Sequence, residues 1–139
     1  MILVIGGAFN GKTDFARALL AQDGKKAAIT VAEGAVCGEE EIFAADLIKD
    51  FHLYLRRFPH KAQEPARLCS ELLSRNSGVV VISDELGYGI VPMDQSDRQW
   101  REQCGRACTA LSAVSEKVYR VVAGIGMCIK KTEKAVKTE

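Results

Sequence analysis

The chain has 139 residues, 47% hydrophobic and 27% charged, with 19 Lys plus Arg against 18 Asp plus Glu. That length suits one domain able to bury its own core without staples. The even charge balance removes the electrostatic case for nucleic acid or an anionic membrane as a partner.

The first element is the apolar run Ile2–Ile5, too continuous for a half-exposed strand and suited to one covered on both faces. Directly behind it stands GGAFNGKT, residues 6–13, and then a helical pattern over Thr13–Gln22. A second strand is predicted at Ala27–Val31. A long helix is predicted from about Gly38 to Arg57, with Glu39, Glu40 and Glu41 in its first turn and Arg56 and Arg57 at its basic end. Residues 58–64 read as the one mobile connection. Pro65 opens a third helix that runs to Arg75. The run Val79–Ser83 reads as a buried strand, Ser96–Ser115 as a fourth helix, and Val118–Ala123 as a last strand. Residues 124–130 read as a Gly-rich loop at a strand end, and 131–139 as a polar, frayed tail.

Strands alternating with helices imply right-handed crossovers and a three-layer α/β sandwich. The expected fold is a P-loop NTPase domain of the RecA-like kind, a mostly parallel sheet flanked by helices, spanning residues 1–130. In such sheets ligands gather at the carboxyl ends of the strands.

GGAFNGKT fits the phosphate-loop pattern G-x-x-x-x-G-K-S/T through Gly6, Gly11, Lys12 and Thr13. The glycines permit backbone angles that turn successive N–H groups toward one anion, and the helix behind adds partial positive charge. Residues Gly6, Gly7, Ala8, Phe9, Asn10, Gly11, Lys12 and Thr13 are therefore the expected nucleotide site. Lys12 would reach the β- and γ-phosphates of ATP or GTP, and the Thr13 hydroxyl would ligate Mg²⁺. The bland alternative is a Gly-rich turn with an incidental Lys-Thr. An acid behind another strand is needed to hold or position Mg²⁺; the candidates are Glu33, as metal and catalytic partner, and Asp84 with Glu85.

The five cysteines, Cys37, Cys69, Cys104, Cys108 and Cys128, are odd in number and form no CxxC pair. That argues against a disulfide framework or a zinc ribbon and suits a reducing cytosol. No apolar run approaches the roughly 20 residues that span a bilayer, and the N-terminus lacks a basic leader region. A cytoplasmic protein without a membrane span is expected.

The stretch from Val79 to Arg106 carries the second signature: a buried strand, the acids of DELGYGIVP, then a helix with Arg98, Arg101 and Arg106. Arginines near one helical turn apart can fork onto phosphate; a surface turn followed by a salt-bridged helix is the plain alternative. Together with ILVIGGAFNGKT, WREQCGR and the closing VVAGIG, this stretch resembles the adenosylcobinamide kinase / adenosylcobinamide-phosphate guanylyltransferase family of cobalamin biosynthesis. The likeness is strongest over residues 1–22 and 78–130. It implies a homo-oligomer that phosphorylates the aminopropanol hydroxyl of adenosylcobinamide. It also implies Glu33 at the family's acidic position, Glu85 as an acid or metal partner, and Asp84, Gly87, Gly89, Arg101 and Arg106 near substrate or phosphate. The family's H-H-x-x-R-P segment, whose His takes GMP, has no counterpart here, and Cys108 and Thr109 replace the usual Asn-Gln. Three readings follow: a nucleotide-dependent kinase, a bifunctional kinase/guanylyltransferase using His60 or His52, and a non-catalytic nucleotide-binding regulatory or assembly protein. His52 itself reads as a satisfied or half-exposed helix residue, and His60 as a loop residue.

Overall fold

The computed structural model describes residues 1–24, 28–86 and 94–132. The elements run β1 (Ile2–Gly6), α1 (Lys12–Gln22), β2 (Val31–Glu33), a single 3₁₀ turn at Glu41–Phe43, β3 (Leu47–Lys49), α2 (Phe51–Arg57) and α3 (Pro59–Ala62). They continue with α4 (Pro65–Arg75), β4 (Val80–Asp84), α5 (Gln95–Val114), β5 (Lys117–Val122) and β6 (Ile125–Lys131). Among the described residues six strands form one sheet in the order β2-β3-β4-β1-β5-β6. All neighbours are parallel except the β5–β6 hairpin. The chain is thus mixed α/β with a mostly parallel sheet.

Alternation along the strands sends successive side chains to opposite layers. Leu3, Ile48, Val81 and Val118 face the helices α2, α4 and α5, where Phe51, Leu55, Leu68, Leu72 and Leu111 complete one core. Val4, Leu47, Val80, Ile82 and Val121 face the other way and pack on Ala16 and Leu20 of α1. Each such buried side chain contributes about 1.5–3 kcal/mol. Among the described residues no helix is long and apolar enough to cross a membrane.

Four sequence expectations change. The long helix over 38–57 is instead a 3₁₀ turn, a strand and a short helix. The apolar residues Ile42, Phe43, Leu47 and Phe51 do recur at helical spacing, but pairing beats propensity: Leu47 and Ile48 are fully buried between β2 and β4. Asp46 fixes the register there, its amide donating to Thr30 O at 2.8 Å and its carboxylate accepting from Thr30 N at 2.9 Å. The second strand lies further on, at Val31–Glu33; part of the run first assigned to it, residue 27, falls outside the described residues. The connection 58–64 contains α3, with Ala62 fully buried against the core, so it is packed and not loose.

Residues 125–131 form β6 where a strand-end loop was expected, and the strand takes in Lys131 from the expected tail. Ala123 (φ 50°) and Gly124 (φ 78°) both sit in the left-handed region and make the two-residue turn whose twist matches a hairpin. Gly126 lets β6 dock: a Cβ there would lie 2.0 Å from the Phe15 ring of α1. The remaining tail residues 133–139, and Gly87 and Gly89 of the GYGIVP run, lie outside the described residues.

Candidate active site

The glycine-rich loop GGAFNGKT joins β1 to α1 and is gripped from two sides. Gly6 at the end of β1 has ordinary backbone angles; its lack of a side chain is needed because a Cβ would lie 2.5 Å from the Val121 carbonyl of β5. Gly11 is the glycine of the loop that takes positive φ, at 84°, just before the helix begins. Across the loop stands the β5–β6 turn. Gly124 N donates to Asn10 O at 2.8 Å, and Ala123 N donates to Asn10 Oδ1 at 3.2 Å. Phe9, between these contacts and β1, holds φ at 62° and is fully exposed. A non-glycine residue held in that region costs about 1–3 kcal/mol and marks a loop whose shape is imposed by its surroundings.

On the other side the loop meets charge. Lys12 is only 7% exposed, and its Nζ donates to Gly7 O at 2.6 Å and contacts Asp84 Oδ1 at 2.7 Å. Asp84 reaches it because β4 runs parallel to β1 with Gly6 opposite Asp84. His52, 5% exposed, backs Asp84 from α2: its Nδ1 accepts from Asp84 N at 3.1 Å and its Nε2 lies 3.4 Å from Asp84 Oδ2. Trp100 of α5 in turn donates Nε1–H to His52 O at 2.7 Å. Burial pushes the His52 imidazole below its ordinary pKa, with Asp84 and Asp50 opposing and Lys12 reinforcing the fall, so the ring is neutral near pH 7.

Asp50 completes the group. It stands at the N-cap of α2 with φ 54°, yet its side chain makes no capping hydrogen bond and its carboxylate is not spent on the helix. Close approach shapes this bend too, since a Cβ on Gly34 would lie 2.1 Å from Asp50 O. Asp50, His52 and Asp84 bring potential ligand atoms within 4.8 Å of one another. Together with Lys12, Thr13 and the loop residues 8–11 they line a cavity of about 420 Å³.

Several anticipated residues stand elsewhere. Glu33 ends the edge strand β2, exposed, opposite Lys49 of β3, and does not line this cavity. Glu85 points away from it: its carboxylate takes Arg120 Nε at 2.8 Å and Nη2 at 3.4 Å. It borders a smaller space of about 210 Å³ with Ile5, Leu86, Cys104 and Cys108. Arg101 and Arg106 ride on α5 and do not line the loop cavity; Arg106 pairs with Glu102 at 2.6 Å on the exposed face. His60 is exposed and pairs through Nε2 with Glu39, bordering a different pocket. Sequence reading missed Asp50 as an acid of the site, and set His52 aside. The signal was short: LIKD, three apolar-to-amphipathic residues and an acid, hidden inside a helix-like pattern.

The sequence profile described as cobinamide kinase / cobinamide phosphate guanyltransferase matches residues 51–129, which is more than half of the chain. The chain belongs to this family. The match runs from α2 into β6, so the glycine-rich loop and Asp50 lie ahead of it. The bifunctional adenosylcobalamin biosynthesis protein CobU of Salmonella typhimurium is 42% identical over 52 residues, or 37% of this chain and 29% of that protein. The protein of the same name from Escherichia coli is likewise 42% identical over 52 residues, again 37% of this chain and 29% of the relative. The similarity thus spans under a third of the length of either relative.

Proposed function

We propose that the chain is a nucleoside-triphosphate-dependent adenosylcobinamide kinase of cobalamin biosynthesis, built on a P-loop domain. The observation that carries the reading is the Lys12–Asp84 pair at the mouth of the glycine loop, in one cavity with Thr13 and Asp50. Family membership supplies the corrinoid acceptor. Phosphoryl transfer needs positioning and charge neutralisation more than covalent chemistry, and this cavity offers both. Loop amides and the N-terminus of α1 hold the phosphates. Lys12 exchanges Gly7 O and Asp84 for phosphate oxygens, and Asp84 is left as an anionic partner. Thr13 and Asp84 fit a hard, oxygen-seeking cation, which supplies charge neutralisation of the β- and γ-phosphates when bound. Asp50, unspent by its helix, receives the proton of the acceptor hydroxyl.

His52 has both ring nitrogens turned to Asp84, and His60 pairs with Glu39 away from the loop cavity. Neither imidazole lies open beside the loop as a guanylyl acceptor must, which favours the kinase over the bifunctional reading. Exposed Val122, Ile125, Met127 and Ile129 on the β5–β6 hairpin support a homo-oligomer. The test is incubation of the purified chain with adenosylcobinamide and labelled ATP or GTP. A phosphorylated corrinoid with no labelled protein–GMP adduct is expected; nucleotide binding without any corrinoid product rejects the kinase reading.

A further inference from the structure

We propose that His52 is a positioning residue that holds Asp84 for the loop and is itself barred from binding metal. By proximity alone, Asp50, His52 and Asp84 resemble a mixed histidine–carboxylate cation site. Such a donor set would favour zinc, copper or nickel over magnesium. The hydrogen bonding says otherwise.

Asp84 N–H points at His52 Nδ1 from 3.1 Å. A ring nitrogen that accepts an N–H carries no proton of its own, so the proton of the neutral ring sits on Nε2. Nε2–H then faces Asp84 Oδ2 across 3.4 Å, an electrostatic contact longer than a short hydrogen bond. The same imidazole therefore fixes both the backbone amide and the carboxylate of Asp84. Ligation through Nε2 requires that nitrogen to be bare, and the proton would move to Nδ1. There it would confront Asp84 N–H donor to donor, inside a site where a lost partner is costly.

Its neighbours hold His52 in place. His52 is buried, its own carbonyl takes Trp100 Nε1–H at 2.7 Å, and the Trp100 ring centre lies 6.3 Å from the imidazole. The Asp84 carboxylate is thus divided: Oδ2 looks toward His52, and Oδ1 meets Lys12 at 2.7 Å. With Lys12 turned to phosphate, Asp84 Oδ1 would be the atom free to hold a cation, through oxygen and without the imidazole. This consequence rests on the phosphate-loop reading above; the tautomer does not.

The experiment is long-range proton–nitrogen correlation of the imidazoles in ¹⁵N-labelled full-length protein at pH 7.5. With two histidines in the chain, a His60→Gln variant assigns the signals. The expected spectrum has His52 bare at Nδ1 and protonated at Nε2, with no change on adding Zn²⁺ alone. Protonation at Nδ1, or a Zn²⁺-induced shift at Nε2, overturns the proposal. Nucleotide binding supplies the second arm. His52→Leu should weaken Mg²⁺-dependent nucleotide affinity roughly 10- to 100-fold, the usual cost of removing a residue that orients a metal ligand. His52→Gln, which can still offer an N–H near Oδ2, should recover most of that loss. A folded His52→Leu protein with wild-type Mg²⁺ dependence overturns the proposal. Where the leucine variant fails to fold, the glutamine variant and the spectrum decide it. The expected tautomer in a chain that phosphorylates no corrinoid supports this inference while rejecting the kinase.

Discussion

The two flanks of β1 do different things to the same loop. On the β4–β3 side Asp84 ends β4 and Asp50 follows β3, His52 stands behind, and the loop is met by charge. On the β5–β6 side the loop is met by main chain: two N–H groups of a hairpin turn bond Asn10, and a carbonyl presses on Gly6. The first flank is buried under helices on both faces, whereas the outer strand of the second exposes Ile125, Met127 and Ile129. A loop that binds phosphate, as proposed above, needs both a fixed shape and a movable cation. The main-chain flank would then give the shape and the charged flank the chemistry, so mutations should separate the two.

The sharpest separation is expected at Lys12. Lys12→Ala removes the cation that the β4–β3 flank holds, and phosphoryl transfer should fall by roughly 100-fold or more. Stability should change by no more than about 1–2 kcal/mol, because Asp84 keeps His52 and partial access to solvent. Steady-state kinetics with urea unfolding measures both. Activity within tenfold of wild type would remove Lys12 from the chemistry. The converse case is Gly6→Ala, on the flank that gives shape. Its new methyl carbon would lie 2.5 Å from Val121 O, a backbone atom that cannot swing aside. A loss of about 1–3 kcal/mol is expected from the urea midpoint, and an unchanged midpoint would break the claim that β5 sets the loop from outside.

Sequence legibility divided along the same line, for physical reasons. The strand–loop–helix setting of GGAFNGKT was readable because the loop lies between a five-residue strand and an eleven-residue helix, both long enough to show a pattern. Asp50 was not, because β3 has three residues, less than one helical turn, and its apolar side chains continue the spacing of the helix beyond. Of the adjacent acids Asp84 and Glu85, the sequence reading favoured Glu85 as the acid or metal partner. Extended backbone sends neighbours to opposite sides, and the structure gives Asp84 to Lys12 and Glu85 to Arg120. The hairpin was missed because Ala-Gly at 123–124 reads as a strand end until both residues are seen at positive φ. Gly6 was recognised for the wrong property, since the neighbouring strand, and not its own dihedral angle, requires it.

Thiol chemistry gives the mildest test of the comparison, because it reads the flanks without altering either. Cys69 of α4 and Cys104 of α5 lie buried in the helical core, and burial pushes each thiol up to about 12. At pH 8 only about one in ten thousand of such groups is the reactive thiolate. Cys108, half-buried nearby, is also raised, chiefly by burial. Cys128 is on exposed β6. An aromatic disulfide reagent at pH 8, read by mass spectrometry, should therefore label Cys128 first and reach Cys69 and Cys104 only when urea unfolds the chain. Cys69 and Cys104 should then appear together, at the same urea concentration as the loss of helix signal, because the β4–β3 flank and its helices share one core. Early labelling of Cys104 in native buffer would mean that α5 opens by itself. Trp100 would then no longer pin His52, and the firm separation between a rigid charged flank and an exposed outer one would fail.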